Sequence, residues 1–212
     1  MDFTSIREQV LDTVHKLCAA GLIRMSSGNV SARDASGHVA ITPSGLSYEE
    51  MAVNDICVVN SAGHLIDGSR KPSTEMPMHL AILDAMPAVN AVVHTHSIYA
   101  MAFAAARRPI PVAYVEAALI GEVPVARYAP PGTADDATVA LEAFRASPAS
   151  RAILLANHGV VAIGPNLKSA WETAYQVEIE AQICLLAGHL GGLYTLSESE
   201  IAEVRRLYHD KL

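Results

Sequence analysis

The chain has 212 residues, 51% of them apolar, with a formal net charge of −7 and a pI near 5.7. That length can bury a substantial core, and 15 Lys and Arg scattered through an acidic chain form no footprint for nucleic acid. No apolar run approaches the roughly 20 residues that span a bilayer, and "MDFTSIREQV" lacks the basic-then-apolar layout of a signal peptide. We therefore expect a soluble, cytoplasmic protein with one domain over residues 1–212.

Ser5 precedes Ile6, Val10, Val14 and Leu17 at helical spacing, with Gly21 beyond, which predicts an amphipathic first helix. The period then changes. In "GNVSARDASGHVAIT" two strand-like runs, Asn29 to Arg33 and His38 to Thr42, flank the turn-rich "DASG" and predict a hairpin. "ICVVN", "NAVVH", "VPVAR" and "AILLANHGVVAIG" carry the β-branched runs of buried strands, whereas "EMPMHLAILDAM", "SIYAMAFAAA" and "ADDATVALEAFRAS" have helical period. Leu167 to Leu190 reads as a long alanine-rich helix, and "SESEIAEVRRLYHDKL" opens with Ser197 and Glu200 at capping-box spacing. Helices and strands intermixed without linker or repeat predict an α/β sandwich, and the early hairpin makes at least part of its sheet antiparallel. Cys18, Cys57 and Cys184 stand far apart in apolar stretches, as reduced buried thiols do.

Two stretches carry chemistry. In "AVVHTHSIYA" His94 and His96 are two residues apart at the end of a strand, so both imidazoles project to one face and can offer nitrogens to one ion. Such a pair alone reads equally well as a solvated strand end. His158 adds weight, because "AILLANHGVVAIG" sets it in a turn between two buried runs; its bland alternative is a core histidine bonded to a carbonyl. Three neutral imidazoles with an open fourth position make a catalytic zinc site, and they also accept cobalt, manganese or iron. The second stretch is "RKPSTEMPMHL", where Ser73, Thr74 and Glu75 stand at a helix start. Free N–H groups and hydroxyls there suit a phosphate with Glu75 beside it; the plain alternative is an N-cap with an acidic first turn. The small-residue loops "SSGNVS" and "TPSG" add donors of the kind a protein without a basic patch needs for an anion.

With "SSGNVS", "ITPSG", "KPSTEMPMH", "AVVHTHS", "PPGT", "LLANHGVVAIG" and "AWETAYQVEIEAQI" in this order, the chain resembles the class II aldolase and adducin-head superfamily nearly end to end. The resemblance implies a three-layer αβα sandwich around a mostly antiparallel sheet, assembled as a homotetramer with active sites at subunit boundaries. It implies that His94, His96 and His158 hold Zn2+, with Mn2+ or Co2+ as substitutes, and that Glu75 is the catalytic acid/base. Asn29, Ser44, Gly45, Ser73 and Thr74 would hold a substrate phosphate, and Tyr114 of a neighbouring subunit would handle the proton of the C4 hydroxyl. The implied reaction is reversible cleavage of a ketose 1-phosphate to dihydroxyacetone phosphate and an aldehyde through a metal-stabilised enediolate. L-fuculose 1-phosphate and a deoxy-ketopentose 1-phosphate are the expected substrates.

Relatives on the same scaffold are 4-epimerases, a methylthioribulose-1-phosphate dehydratase and sugar-acid phosphate decarboxylases. The epimerases carry Asp where this chain has Glu75 and a His-Ala-Asp-Tyr pattern that "AYVEAALIGEVPVARYAPPGT" lacks, which favours the aldolase. A non-catalytic assembly module, as in the adducin head, has no use for three chelating imidazoles.

Overall fold

The computed structural model describes residues 2–208. The predicted hairpin is present: Asn29–Arg33 (β1) and Val39–Ile41 (β2) pair antiparallel, with Ser31 opposite Ile41. Asp34 closes the turn, its Oδ1 accepting the N–H groups of Ser36 and His38 at 2.8 and 2.9 Å. Strands follow at Cys57–Val59 (β3), Leu65–Asp67 (β4), Ala91–Thr95 (β5), Val125–Ala126 (β6), Ala152–Leu155 (β7) and Gly159–Gly164 (β8). Among the described residues these form one sheet in the order β4-β3-β2-β1-β5-β8-β7-β6. Every neighbouring pair is antiparallel except β6 with β7.

Alternation along the strands divides the core in two. Val30, Ala32, Val58, Val93, Leu154 and Val160 face Thr4–Ala19 (α1), Ile98–Ala106 (α3) and Leu167–His189 (α6). Ile41, Val59, Val92, Ile153 and Val161 face Met76–Ala85 (α2) and Ala134–Ala146 (α5). The result is the expected three-layer αβα sandwich. The long helix buries Ala170, Ala174, Val177, Ala181 and Cys184, a stripe of small residues at helical spacing that seats it against the sheet.

Differences from the sequence reading are local. The first helix starts one residue before Ser5, at Thr4, whose N–H is accepted by Asp2 Oδ1 at 2.9 Å. β4 was not foreseen, because three residues at an exposed edge leave no burial pattern to read. The short helix Ala117–Ile120 (α4) likewise escaped, being a single turn. Glu198–Leu207 (α7) carries the foreseen capping box, with Ser197 N–H donating to Glu200 Oε2 at 2.7 Å. Tyr208 caps it, and residues 209–212 of that predicted helix fall outside the described residues. All three cysteines are free thiols. Among the described residues no helix is long and apolar enough to cross a membrane.

Candidate active site

The site forms where the ends of β1 and β5 meet the β7–β8 turn and the start of α2. His94 shares the face of Val92, beneath α2, and stands directly opposite Asn29 in the antiparallel ladder. His94 is fully buried and its Nδ1–H donates to the Val160 carbonyl at 2.8 Å, which leaves Nε2 with a lone pair. That Nε2 lies 3.0 Å from His96 Nε2. One ring nitrogen from each of His94, His96 and His158 lies within 4.8 Å of the others. Burial, then the neighbouring His158 and His96 rings, hold the His94 imidazole well below its usual pKa; burial and His158 lower His96 as well. The His94 and His96 rings are therefore neutral at neutral pH, the form that binds a cation.

The donor set fits a metal ion. Glu75 Oε1 is buried with no hydrogen-bond partner and stands 3.3 Å from His158 Nε2. Glu75 Oε2 stands 3.5 Å from His94 Nε2. Bare nitrogens and an orphaned carboxyl oxygen facing one another are satisfied together by a cation.

Two glycines explain why the flanking motifs read as they do. A Cβ on Gly159 would lie 2.3 Å from the Thr95 carbonyl oxygen and 3.1 Å from carbons of both His94 and His96, so only glycine lets the His158 turn lie on β5. A Cβ on Gly28, whose φ is +87°, would lie 2.6 Å from the His94 carbonyl oxygen. Tyr48 secures that loop from below by donating to the Gly28 carbonyl at 2.5 Å.

Of the predicted phosphate residues, Ser44 and Gly45 lie on one loop and Ser73 and Thr74 on another. Ser44 N–H donates to the Lys71 carbonyl at 2.9 Å and Ser73 N–H to the Thr42 carbonyl at 3.0 Å, which ties the two loops together. Ser44, Gly45 and Thr74 are exposed, while Ser73 is buried and accepts the Glu75 N–H at 3.2 Å. Asn29 is buried with its amide turned to the carboxyl, Nδ2 donating to Glu75 Oε2 at 2.6 Å. Tyr114 stands apart within the chain, packed with Val112, Ala117 and Ala118 under α7 and bonded to Gln176. Burial, then Glu180, Glu116 and Cys184, raise its phenol pKa.

Sequence reasoning missed several participants. His79, fully buried on α2, places Nε2 2.5 Å from Asn29 Oδ1 and Nδ1 2.7 Å from Ser31 Oγ. Burial first and the His94 ring second push its pKa down to about 3. The signals were in the spacing: His79 is four residues after Glu75, and Ser31 two after Asn29, so each shares a face with its predecessor. Asp136, buried in the first turn of α5, accepts the Gly132 N–H at 3.1 Å; burial raises its pKa most, with Glu75 adding to the rise and His158 opposing it.

Comparison with known proteins agrees with this architecture. The profile of the Class II Aldolase and Adducin N-terminal domain family matches residues 8–185, and the chain belongs to that family. Over 203 residues it is 36% identical to the 5-deoxy-D-ribulose 1-phosphate aldolase of Bacillus thuringiensis serovar kurstaki, covering 95% of this chain and 94% of the relative. It is 38% identical over 176 residues to the 5-methylthioribulose-1-phosphate/5-deoxyribulose-1-phosphate aldolase of Rhodospirillum rubrum, covering 82% and 77%. A solved L-fuculose 1-phosphate aldolase superposes with a TM-score of 0.92 at 32% identity over 99% of this chain and 98% of that one. These relatives are class II aldolases, and this chain is an enzyme of that lyase class.

Proposed function

We propose that this enzyme is a zinc-dependent aldolase that reversibly cleaves a ketose 1-phosphate to dihydroxyacetone phosphate and an aldehyde. The observation that carries the reading is the convergence of His94, His96 and His158 nitrogens within 4.8 Å, with Glu75 Oε1 3.3 Å from His158 Nε2. A divalent ion held by the three imidazoles supplies Lewis acidity at the substrate carbonyl; zinc suits the set, and Mn2+ or Co2+ can replace it. Ser44, Gly45, Ser73 and Thr74 bind the phosphate through hydroxyls and backbone N–H groups; Asn29, expected with them, turns its amide to Glu75 in this structure. The C3–C4 bond breaks as the C4 hydroxyl loses its proton, and its electron pair stays with the triose phosphate fragment. Glu75 delivers a proton to C3 of that fragment, or removes it in the condensing direction. Tyr114 takes the C4 hydroxyl proton in a neighbouring subunit's site, a role that suits its position away from its own chain's histidines in a homotetramer.

The names of the relatives support a 5-deoxy-ketopentose 1-phosphate or L-fuculose 1-phosphate as substrate. The test is a coupled assay for dihydroxyacetone phosphate with both sugars, before and after chelation. We expect triose phosphate release that is lost with chelator and restored by zinc. Zinc-loaded protein that releases none from either sugar would overturn the reading.

A further inference from the structure

We propose that His79 and Ser31 are positioning residues: together they orient the Asn29 amide and thereby decide which oxygen of Glu75 is left to react. This inference rests on the aldolase reading for its kinetic consequence, but its structural content stands on hydrogen-bond geometry alone.

A carboxylate oxygen accepts, so the Asn29 group 2.6 Å from Glu75 Oε2 is the NH2 end of the amide. Asn29 Oδ1 then faces His79 at 2.5 Å, and an amide oxygen only accepts, so His79 Nε2 carries the proton. A neutral imidazole with its proton on Nε2 has a lone pair on Nδ1, and the Ser31 hydroxyl 2.7 Å away donates to it. The donors therefore point one way, from Ser31 through His79 and Asn29 to Glu75 Oε2. Reversing any member leaves two donors or two acceptors facing each other in a buried site, so the chain holds as a unit. All four side chains are buried, and water does not compete for them.

The consequence falls on the other carboxyl oxygen. With Oε2 held by Asn29, Oε1 is the oxygen with no hydrogen-bond partner, 3.3 Å from His158 Nε2. Nothing on α2 itself constrains the Glu75 side chain, which makes no capping bond although Glu75 is the N-cap residue. Without His79 the Asn29 amide is free to turn over and present its oxygen to the carboxyl, and Glu75 loses its anchor. The hydrogen bonds of His79 go to Asn29 and Ser31 rather than to the two proposed phosphate loops or the three imidazoles, so its loss should reach turnover through Glu75 more than substrate affinity.

Two measurements test this. The first needs no substrate: 15N-histidine-labelled, metal-free full-length protein is examined by long-range 1H–15N NMR. We expect His79 as the neutral Nε2–H tautomer, and a mixture of tautomers in Ser31→Ala. A protonated Nδ1 with a bare Nε2 in the unsubstituted protein would reverse the chain and overturn the proposal. The second is kinetic. His79→Leu should lower kcat by about 10–100-fold, the range for groups that orient a reacting or ligating residue, with a much smaller change in KM. His79→Gln, whose amide N–H replaces the Nε2 donor, should recover most of it. In an Asn29→Ala background, His79→Leu or His79→Gln should change kcat no more than about twofold, since the group through which His79 acts is gone. Losses that multiply in the double variants, or no recovery with glutamine in a folded protein, would overturn the positioning role. If the aldolase reading itself fails, the unsubstituted protein shows no turnover while the tautomer measurement still decides the hydrogen-bond chain.

Discussion

Two buried glutamates on opposite helical layers show how differently one residue type can be placed. Glu75, at the start of α2, has Oε2 held by Asn29 at 2.6 Å and 3.5 Å from His94 Nε2, with Oε1 3.3 Å from His158 Nε2. Glu180, fully buried on α6 near Tyr114 and Cys184, has no side-chain donor, and the backbone of Ala113 beside it only partly offsets its burial. Burial pushes the Glu180 carboxyl up to about 9, so at neutral pH it is an uncharged acid. In the proposed mechanism the first carboxyl moves a proton from within a directed network; the second costs stability when it ionises. Burial alone therefore does not mark a working carboxyl. The proposed acid/base is set apart by its Asn29 donor and by three imidazoles beside it that could hold a metal ion.

The comparison can be broken at several points. Glu75→Gln should lower turnover by about 10²–10⁴-fold, the range for a positioned acid/base, while the protein keeps its metal; full turnover in a metal-loaded Glu75→Gln protein would remove the distinction between the two glutamates. His158→Ala should sharply lower bound zinc by elemental analysis, and unchanged stoichiometry would refute the ligand assignment. Gly159→Ala forces a Cβ to within 2.3 Å of the Thr95 carbonyl oxygen. It should destabilise the fold by about 1–3 kcal/mol, read from the urea midpoint; an unchanged midpoint would mean that the turn has room to relax.

The smallest effect concerns Glu180. Its folded-state pKa of about 9 lies above the ordinary value of 4.5, so between those values the folded chain holds a proton that the unfolded chain has released. Stability should fall as pH rises through that window. Glu180→Gln should flatten the loss, giving a higher Tm than the parent at pH 9 and little difference near pH 4; parallel Tm curves across the range would show that Glu180 finds a partner when ionised.

Local pattern was enough to read most of the architecture. The hairpin at "DASG", the buried β-branched runs and the capping box at Ser197 are set by interactions over a few residues, and each appears where period and turn chemistry place it. His94, His96, His158 and Glu75 were legible because each stands out against its flanks: a pair on one strand face, a histidine between apolar runs, an acid at a helix start. β4 and α4 were not, being too short to show a period. Ser31 and His79 lie 48 residues apart, and their placement around Asn29 depends on α2 crossing the face of β1.

The sequence by itself determined the α/β mixture, the antiparallel hairpin and the residue types able to hold a metal, because periodicity and motif chemistry act locally; the three layers followed from the family resemblance. Only the tertiary structure decided which groups share a proton. The pairing of β1 with β5 sets Asn29 opposite His94, and α2 then brings His79 and Glu75 over that pair. Hydrogen bonds need partners within about 3 Å, and for these residues that proximity exists only once the sheet is assembled.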